Sequence, residues 1–279
     1  GVITDCENKP LPGAKIRVKG KKIKTHSDFD GFYKIIVPDT SAIIKYSYPD
    51  FESQKIKVGN QKNINIIFKE KPNEVILIAK KPVIYLYPPT KTEVSLNLIF
   101  SGELLFTYPE YKNGWNVIAN PNGTLTNKSD NKEYSYLFWD GKKTYNEKEI
   151  TYDSGYVVSK DSVVTFLQTK LFEFGLKPHE YNEFIVYWAP HLMKNNWNFI
   201  HFRVVSDYNI ISENLVNPKP ETEIRVFMDF KKLDSPFVIE PQKVKTPITR
   251  KGFTLVEWGG AELSQSINIK TKSGRHIKK

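Results

Sequence analysis

Between Lys81 and Pro89 the chain reads Lys-Pro-Val-Ile-Tyr-Leu-Tyr-Pro-Pro, apolar or aromatic on both alternating sets of positions. Val83, Tyr85 and Tyr87 fall on one face of a strand and Ile84 and Leu86 on the other, the pattern of a strand covered on both sides. Pro82 and Pro88-Pro89 bracket it, because proline cannot donate to a ladder. Before this stretch the alternation is one-sided: Ala14, Ile16 and Val18 interleave with Lys15, Arg17 and Lys19, an amphipathic strand with one buried face. Val2-Ile3, Phe32–Val37, Ile43–Tyr48 and Ile64–Phe68 read as further short strands. Their spacing of ~8–12 residues, with turn residues between, describes an antiparallel sandwich.

After it, Val94, Leu96 and Leu98 alternate inward, Leu104 to Tyr108 forms a second strand, and Asn113-Gly114 and Asn122-Gly123 are hairpin signals. Glu133 to Trp139 is another strand, closed by Asp140-Gly141. One helix is predicted after Asp161 or Ser162, with Val163, Val164, Phe166, Leu167, Leu171, Phe172 and Phe174 on its apolar face and Gly175 at its end. A shorter helical turn starts at Pro178, before strands at Phe184–Trp188, Phe199–Val205, Glu223–Phe230 and Phe253–Trp258. The pattern thus predicts a mainly β protein: a β-sandwich at 1–72, a linker at 73–81, and a larger β-rich α+β domain with one or two helices at 82–264. Residues 265–279 are polar and basic and are expected to be loosely ordered.

Charge sharpens this division. The formal net charge of +10 splits into +7 for residues 1–81, −2 for 82–264 and +5 for the tail. A basic module attracts anionic partners, but a lysine-rich solvated face accounts for the same composition without a specific site. No nucleic-acid partner is expected. Cys6 is the single cysteine, so the chain has no internal disulfide and no cysteine-based metal site. No apolar run approaches the ~20 residues that span a bilayer, and the portion shown is expected to be soluble. It begins at Gly1 without a methionine or a signal-like segment, as in a mature or trimmed chain.

The first module also carries a resemblance. Gly1-Val2-Ile3-Thr4-Asp5, Pro10-Leu11-Pro12-Gly13-Ala14, Val18-Lys19-Gly20, Asp28-Phe29-Asp30-Gly31-Phe32-Tyr33 and Val37-Pro38 resemble the carboxypeptidase-regulatory-like domain, in the version that precedes TonB-linked outer-membrane transporters of Bacteroidota. Tyr48 to Gln54 and Asn73 to Ala79 are similar to later segments of that version, with Pro49-Asp50 replacing a glycine-containing pair. The resemblance implies a transthyretin-like seven-stranded sandwich, placed in the periplasm or at the outer membrane, that serves as a structural and docking unit rather than a catalyst. The second domain resembles bacterial proteins with a KPVIYLYP opening, in Lys81–Pro88, Phe106–Pro109, Gly114-Trp115, Tyr134–Trp139, Phe184–Pro190, Ile224–Met228 and Lys251–Gly260. That resemblance brings no activity with it.

A search for chemistry yields few motifs. Asp28, Asp30 and Gly31 begin like a calcium loop, but Phe32 follows and the later ligands are missing, so a turn is expected. His179, His191 and His201 fit neither zinc-carboxypeptidase nor His-Glu-x-x-His spacing. There is no Gly-x-Ser-x-Gly elbow and no phosphate-cradling loop. No cofactor or metal is expected. What remains are tryptophans beside polar groups at strand ends: Trp139-Asp140, Trp188 to His191, and Glu257-Trp258. Aromatic stacking and hydrogen-bonding groups together suit a sugar, although packing is the ordinary use of a tryptophan in a β-core. His201 and Arg203 share a strand face expected to meet solvent or a partner, and Asp140 with Glu257 forms an acid/base pair only if the fold joins them. Three functions follow from these readings: a non-catalytic docking subunit of an outer-membrane complex, a glycan-binding protein, and a hydrolase. The expected partners are proteins of the cell envelope, with polysaccharide as the alternative.

Overall fold

The computed structural model describes all residues except 72, 148–149, 244–248, 265, 272–275 and 278–279, and gives 276–277 as backbone only. The chain divides into two compact units, Gly1–Asn73 and Glu74–Lys279, and the architecture is mainly β.

In the first unit β1 (Ile3–Thr4), β2 (Lys15–Val18), β3 (Lys24–His26), β4 (Ile43–Ser47), β5 (Gln54–Lys57) and β6 (Ile66–Ile67) form two sheets, β3-β2-β4-β5 and the parallel pair β1-β6. Ile3, Ala14, Ile16, Val18, Ile44, Tyr46, Ile66 and Phe68 fill one core, so the alternation around β2 buries the face it predicts. The segment expected as a strand at Phe32–Val37 is instead an extended chain held by a bridge from Phe32 to Val2 and by the Tyr33 amide on the Gly1 carbonyl. The Asp28 carboxylate accepts the amides of Asp30 and Phe32, closing the turn whose Gly31 sits at φ +77°.

The second unit begins with β7 (Glu74–Tyr87), followed by β8 (Thr92–Ile99), β9 (Glu103–Tyr108), β10 (Trp115–Ala119), β11 (Leu125–Asn127), β12 (Glu133–Tyr134), β13 (Leu137–Asn146), β14 (Thr151–Tyr152) and β15 (Tyr156–Ser159). Two helices, α1 (Val163–Glu173) and α2 (Pro178–Leu192), precede β16 (Trp197–Val204), β17 (Glu213–Asn217), β18 (Thr222–Leu233), β19 (Thr254–Glu262), β20 (Asn268–Lys270) and β21 (His276–Ile277). Seven strands make the central sheet, in the order β15-β16-β18-β19-β7-β13-β9. Five more make the order β12-β11-β10-β8-β17, and β14-β20-β21 form a small third sheet. Ile84, Leu86, Leu137, Phe227 and Leu255 of the central sheet share a core with Val94, Leu96, Trp115 and Val117 of the five-stranded sheet. On its other face Val83, Tyr85, Phe202, Val226 and Val256 pack against Val163, Leu167 and Leu171 of α1 and Phe184, Trp188 and Leu192 of α2. The unit therefore has three layers, helices over a central sheet over a second sheet. From Pro82 to Leu86 β7 has both faces buried, because one face meets the helices and the other the second sheet. No helix among the described residues is long and apolar enough to cross a membrane.

Several expectations change. The proposed linker is, over 74–81, the first half of β7: Val75, Leu77 and Ala79 are buried and pair through β13, so the strand starts eight residues earlier than Pro82. Pro82 lies inside the strand, where a bulge removes the need for its missing amide. Phe184–Trp188 is helical rather than extended. Phe184, Trp188 and Leu192 recur at intervals of four and bury one face of α2, Pro178 occupies its first turn, and the Glu180 carboxylate accepts the Lys177 amide. The α1 helix ends as predicted, with Gly175 at φ +90° and the Leu176 amide on the Leu171 carbonyl. Asn122-Gly123 joins the paired strands β10 and β11, whereas Asn113-Gly114 carries the chain from one sheet to the other. Asp140-Gly141 does not end its strand, because β13 continues through an irregularity to Asn146. Ile267 and Ile269 of the expected loose tail are buried in the core, and their alternation pairs β20 with β14.

The helix layer sits tightly on the sheet at Gly260. A Cβ there would lie 2.7 Å from Trp188 Cζ2 and 2.8 Å from the Met228 carbonyl oxygen. Gly260→Ala is expected to lower stability by about 1–3 kcal/mol through overpacking, read as a shift of the urea midpoint; an unchanged midpoint would mean the helix layer is loosely seated.

Candidate functional site

The residues singled out by sequence fall into two groups on opposite sides of the central sheet. The first group lies between the two sheets and is buried. Arg225 on β18 stands directly opposite Glu257 on the parallel strand β19, and its Nε donates to Glu257 Oε2 at 2.7 Å. The same carboxylate accepts Trp139 Nε1 at 3.2 Å on Oε1 and Asn214 Nδ2 at 2.7 Å on Oε2. The remaining Arg225 nitrogens reach Asn209 Oδ1, the Ser212 carbonyl and the Ser212 hydroxyl. The neighbouring strands repeat the device: Arg203 Nε on β16 donates to Asp229 Oδ2 on β18 at 2.6 Å. Tyr152 Oη donates to the same oxygen and accepts from Arg203 Nη2. Despite burial, the carboxylates beside them hold both guanidiniums above the ordinary arginine pKa.

This overturns three expectations. Arg203 does not meet solvent or a partner, because Asp229 draws it into the core. His201 is half-buried: its Nδ1–H donates to the Ser154 carbonyl at 2.9 Å and its Nε2 faces Gln242 Nε2 at 3.3 Å. Trp139, Trp188 and Trp258 are at most 1% exposed and offer no ring to a sugar. Their indoles complete the two cores, the ordinary use of large aromatics.

The second group lies on the helix side. β7 carries an extra residue relative to both neighbours: Val83 and Lys80 pair with Trp258 and Gly260 across one side, Val83 and Ala79 with Phe138 and Gly141 across the other. Lys81 takes the extra place at φ 58°, and its displaced amide donates to Asp140 Oδ1 at 2.7 Å. The register of β13 on β9 pairs Phe138 with Tyr108 and Asp140 with Phe106, which puts these four side chains on one face. Trp139, between them, points to Glu257 instead. Asp140 and Glu257 are therefore separated by the sheet, and the acid/base pair does not form.

Around Asp140 the structure gathers residues that the sequence search passed over. Lys81 Nζ lies 5.2 Å from the Tyr136 ring centre and 5.6 Å from that of Phe138. Tyr85 packs edge-on to Tyr136 at 5.5 Å and donates from Oη to Glu183 Oε2 at 3.2 Å. Tyr87 meets His179 Nε2 at 2.8 Å. His179, Glu183, Tyr187 and His191 are spaced by four along α2, a stripe that faces this edge of the sheet. Arg250 anchors the helix start, bonding both oxygens of the buried Glu180 and the Gly175 carbonyl. Burial raises the Asp140 pKa, opposed by the Lys81 amide and the Lys80 and Lys81 charges. Tyr187 is raised by burial and then by the nearby Asp140. His191 Nδ1–H donates to the Tyr187 carbonyl at 2.8 Å. The spacing of four from His179 to His191 was the available signal, hidden by reading 184–188 as a strand. Among the described residues no group of three or more His, Cys, Asp or Glu side chains is placed to hold a metal ion.

Burial holds the His201 pKa below its ordinary value, so the folded protein keeps a neutral imidazole where the unfolded chain would take a proton. Stability is then fully present above the unfolded value of about 6.5 and falls as pH drops below it. His201→Gln is expected to flatten the decline in urea midpoint between about pH 7 and 5; parallel curves for the two proteins would contradict this.

Comparison with known proteins yields a family match that takes in the first unit. Residues 1–78 match the CarboxypepD_reg-like domain family. The chain is 46% identical over 76 residues to TonB-dependent receptor P3 of Formosa agariphila, covering 27% of this chain and 8% of the receptor. It is 31% identical over 81 residues to TonB-dependent receptor P39 of the same organism, covering 28% and 8%. It is also 45% identical over 64 residues to a Butyrivibrio fibrisolvens protein described as "Uncharacterized protein in bglA 3'region", covering 22% of this chain and 65% of that protein. The chain thus spans less than a tenth of the two receptors and about two thirds of the third relative. No solved structure matches. Residues 1–78 carry a CarboxypepD_reg-like domain of the kind shared with TonB-dependent receptors, as the Gly1–Asp5, Pro10–Ala14 and Asp28–Tyr33 motifs implied.

Proposed function

We propose that this chain is a non-catalytic, envelope-associated protein in which the first unit docks to a protein partner and the second presents a binding surface. The observation that carries the reading is the match of residues 1–78 to a domain shared with TonB-dependent receptors. That relation supports a periplasmic or outer-membrane location. The first unit supports docking by its own surface. Phe29 is 92% exposed, and Phe32 and Ile36 on the same segment are also largely exposed, so three large apolar side chains stand free on eight residues. The non-catalytic part rests on the state of the buried carboxylates: Glu257 is fully used by Arg225, Trp139 and Asn214, and Asp229 is tied to Arg203 and Tyr152.

Fractionation of the native cells with chemical crosslinking tests this. The protein is expected in the envelope fraction, crosslinked to an outer-membrane complex, with Phe29→Ser reducing the crosslinked yield several-fold. Recovery solely as a free monomer in the soluble fraction would overturn the reading.

A further inference from the structure

We infer that the corner between α2 and the β7–β13–β9 edge of the central sheet is a carbohydrate-binding cleft. Its floor is aromatic. The two helices cover the face of the sheet as far as β7, where Val83 and Tyr85 are buried, but leave β9 largely uncovered. Phe106 is therefore 59% and Tyr108 55% exposed, on the same face as the half-buried Phe138. Phe106 and Phe138 are in ring contact at 5.8 Å. Tyr136 continues the aromatic surface toward the helix, packed edge-on against the buried Tyr85. The wall is the Glu183 and Tyr187 side of α2.

The polar groups in this corner are only partly used. Asp140 spends Oδ1 on the Lys81 amide, and Oδ2 has no protein partner among the described residues. Glu183 receives Tyr85 on Oε2, leaving Oε1 without one. The Tyr187 hydroxyl has no protein partner among the described residues. The Lys81 ammonium has only a 3.4 Å contact with Tyr136 Oη and the two ring faces, and no carboxylate within ion-pair distance among the described residues. Two acceptors and two donors thus surround an exposed aromatic floor, all on half-buried residues.

That combination selects a ligand class. A wholly apolar ligand would strip water from these groups and give nothing back. An ion of either sign meets both carboxylates and an ammonium. A sugar ring presents a C–H face to the aromatic floor and a rim of hydroxyls that both donate and accept, so it satisfies Asp140, Glu183, Lys81 and Tyr187 together. The backbone bulge is part of the site, since it brings Lys81 beside Asp140. The cleft is independent of the docking role, because it uses only the second unit.

Affinity electrophoresis of the full chain through native gels containing mixed-linkage β-glucan, xylan or galactomannan tests it. The protein is expected to be retarded by at least one of them. Phe106→Ala and Asp140→Asn are each expected to weaken that retardation at least about tenfold, as loss of roughly 1.4 kcal/mol or more would do. Asp140→Asn keeps an oxygen for the Lys81 amide, and Phe106 is largely exposed, so both variants should melt with the parent. Phe172→Ala, which removes an exposed ring from α1, should migrate like the parent. Absence of retardation on all three polysaccharides, or equal retardation of the parent and the two cleft variants, overturns the inference.

Discussion

The second unit depends on keeping two arginines and two carboxylates charged in the layer between its sheets. An unpaired charge there would cost several kcal/mol, whereas a paired and hydrogen-bonded one is tolerated. Arg225 faces Glu257 across the parallel contact of the central sheet, and Arg203 bridges β16 to Asp229 on β18. The Glu257 cluster reaches further than its own sheet: Asn214 belongs to β17 at the edge of the five-stranded sheet, and Trp139 to β13. One carboxylate therefore joins three other strands, in two layers. Apolar packing also holds the layers together, but it is non-directional. The paired charges fix which residue stands opposite which.

The other face of the sheet uses its polar residues differently. There the extra residue in β7 displaces Lys81, and Asp140 receives the freed amide. The carboxylate is only half-buried and half-used, in contrast to Glu257. The same strand, β13, therefore supplies Trp139 to the closed cluster and Asp140 to the open corner. Adjacent residues in one strand, Trp139 in the closed cluster and Asp140 in the proposed cleft, have such different settings because their side chains point to opposite faces.

Much of the fold was legible where the pattern has a single physical cause. Alternation around Ile16 marks one buried face, the two-sided apolar run from Val83 to Leu86 marks a central strand, and Gly175 marks a helix end. The misreadings share a reason as well. Phe184-Ile185-Val186-Tyr187-Trp188 favours a strand by residue type, but Phe184, Trp188 and Leu192 repeat with helical spacing and Pro178 starts the helix. Local propensity lost to packing of that face on the sheet. Arg203 looked solvent-facing because its partner, Asp229, lies 26 residues away in sequence. The proposed cleft could not be read because Asp140 meets the Lys81 amide only through tertiary structure, and Pro82 signals a strand boundary when it marks a bulge.

Central to this account, the Arg225–Glu257 pair is structural and acts as a unit. A double-mutant cycle with Arg225→Met and Glu257→Gln tests that most directly. It can be followed by tryptophan fluorescence during urea unfolding, since all five tryptophans lie in the second unit. Each single change leaves a buried partner uncompensated and is expected to cost about 3–5 kcal/mol. The double variant has neither charge, and the amide oxygen introduced by Glu257→Gln keeps an acceptor for one of the two neutral donors, Trp139 or Asn214, which bond different oxygens of the carboxylate. It should therefore recover about 2 kcal/mol or more of the summed loss. Strictly additive losses, or single losses below about 1 kcal/mol, would contradict it.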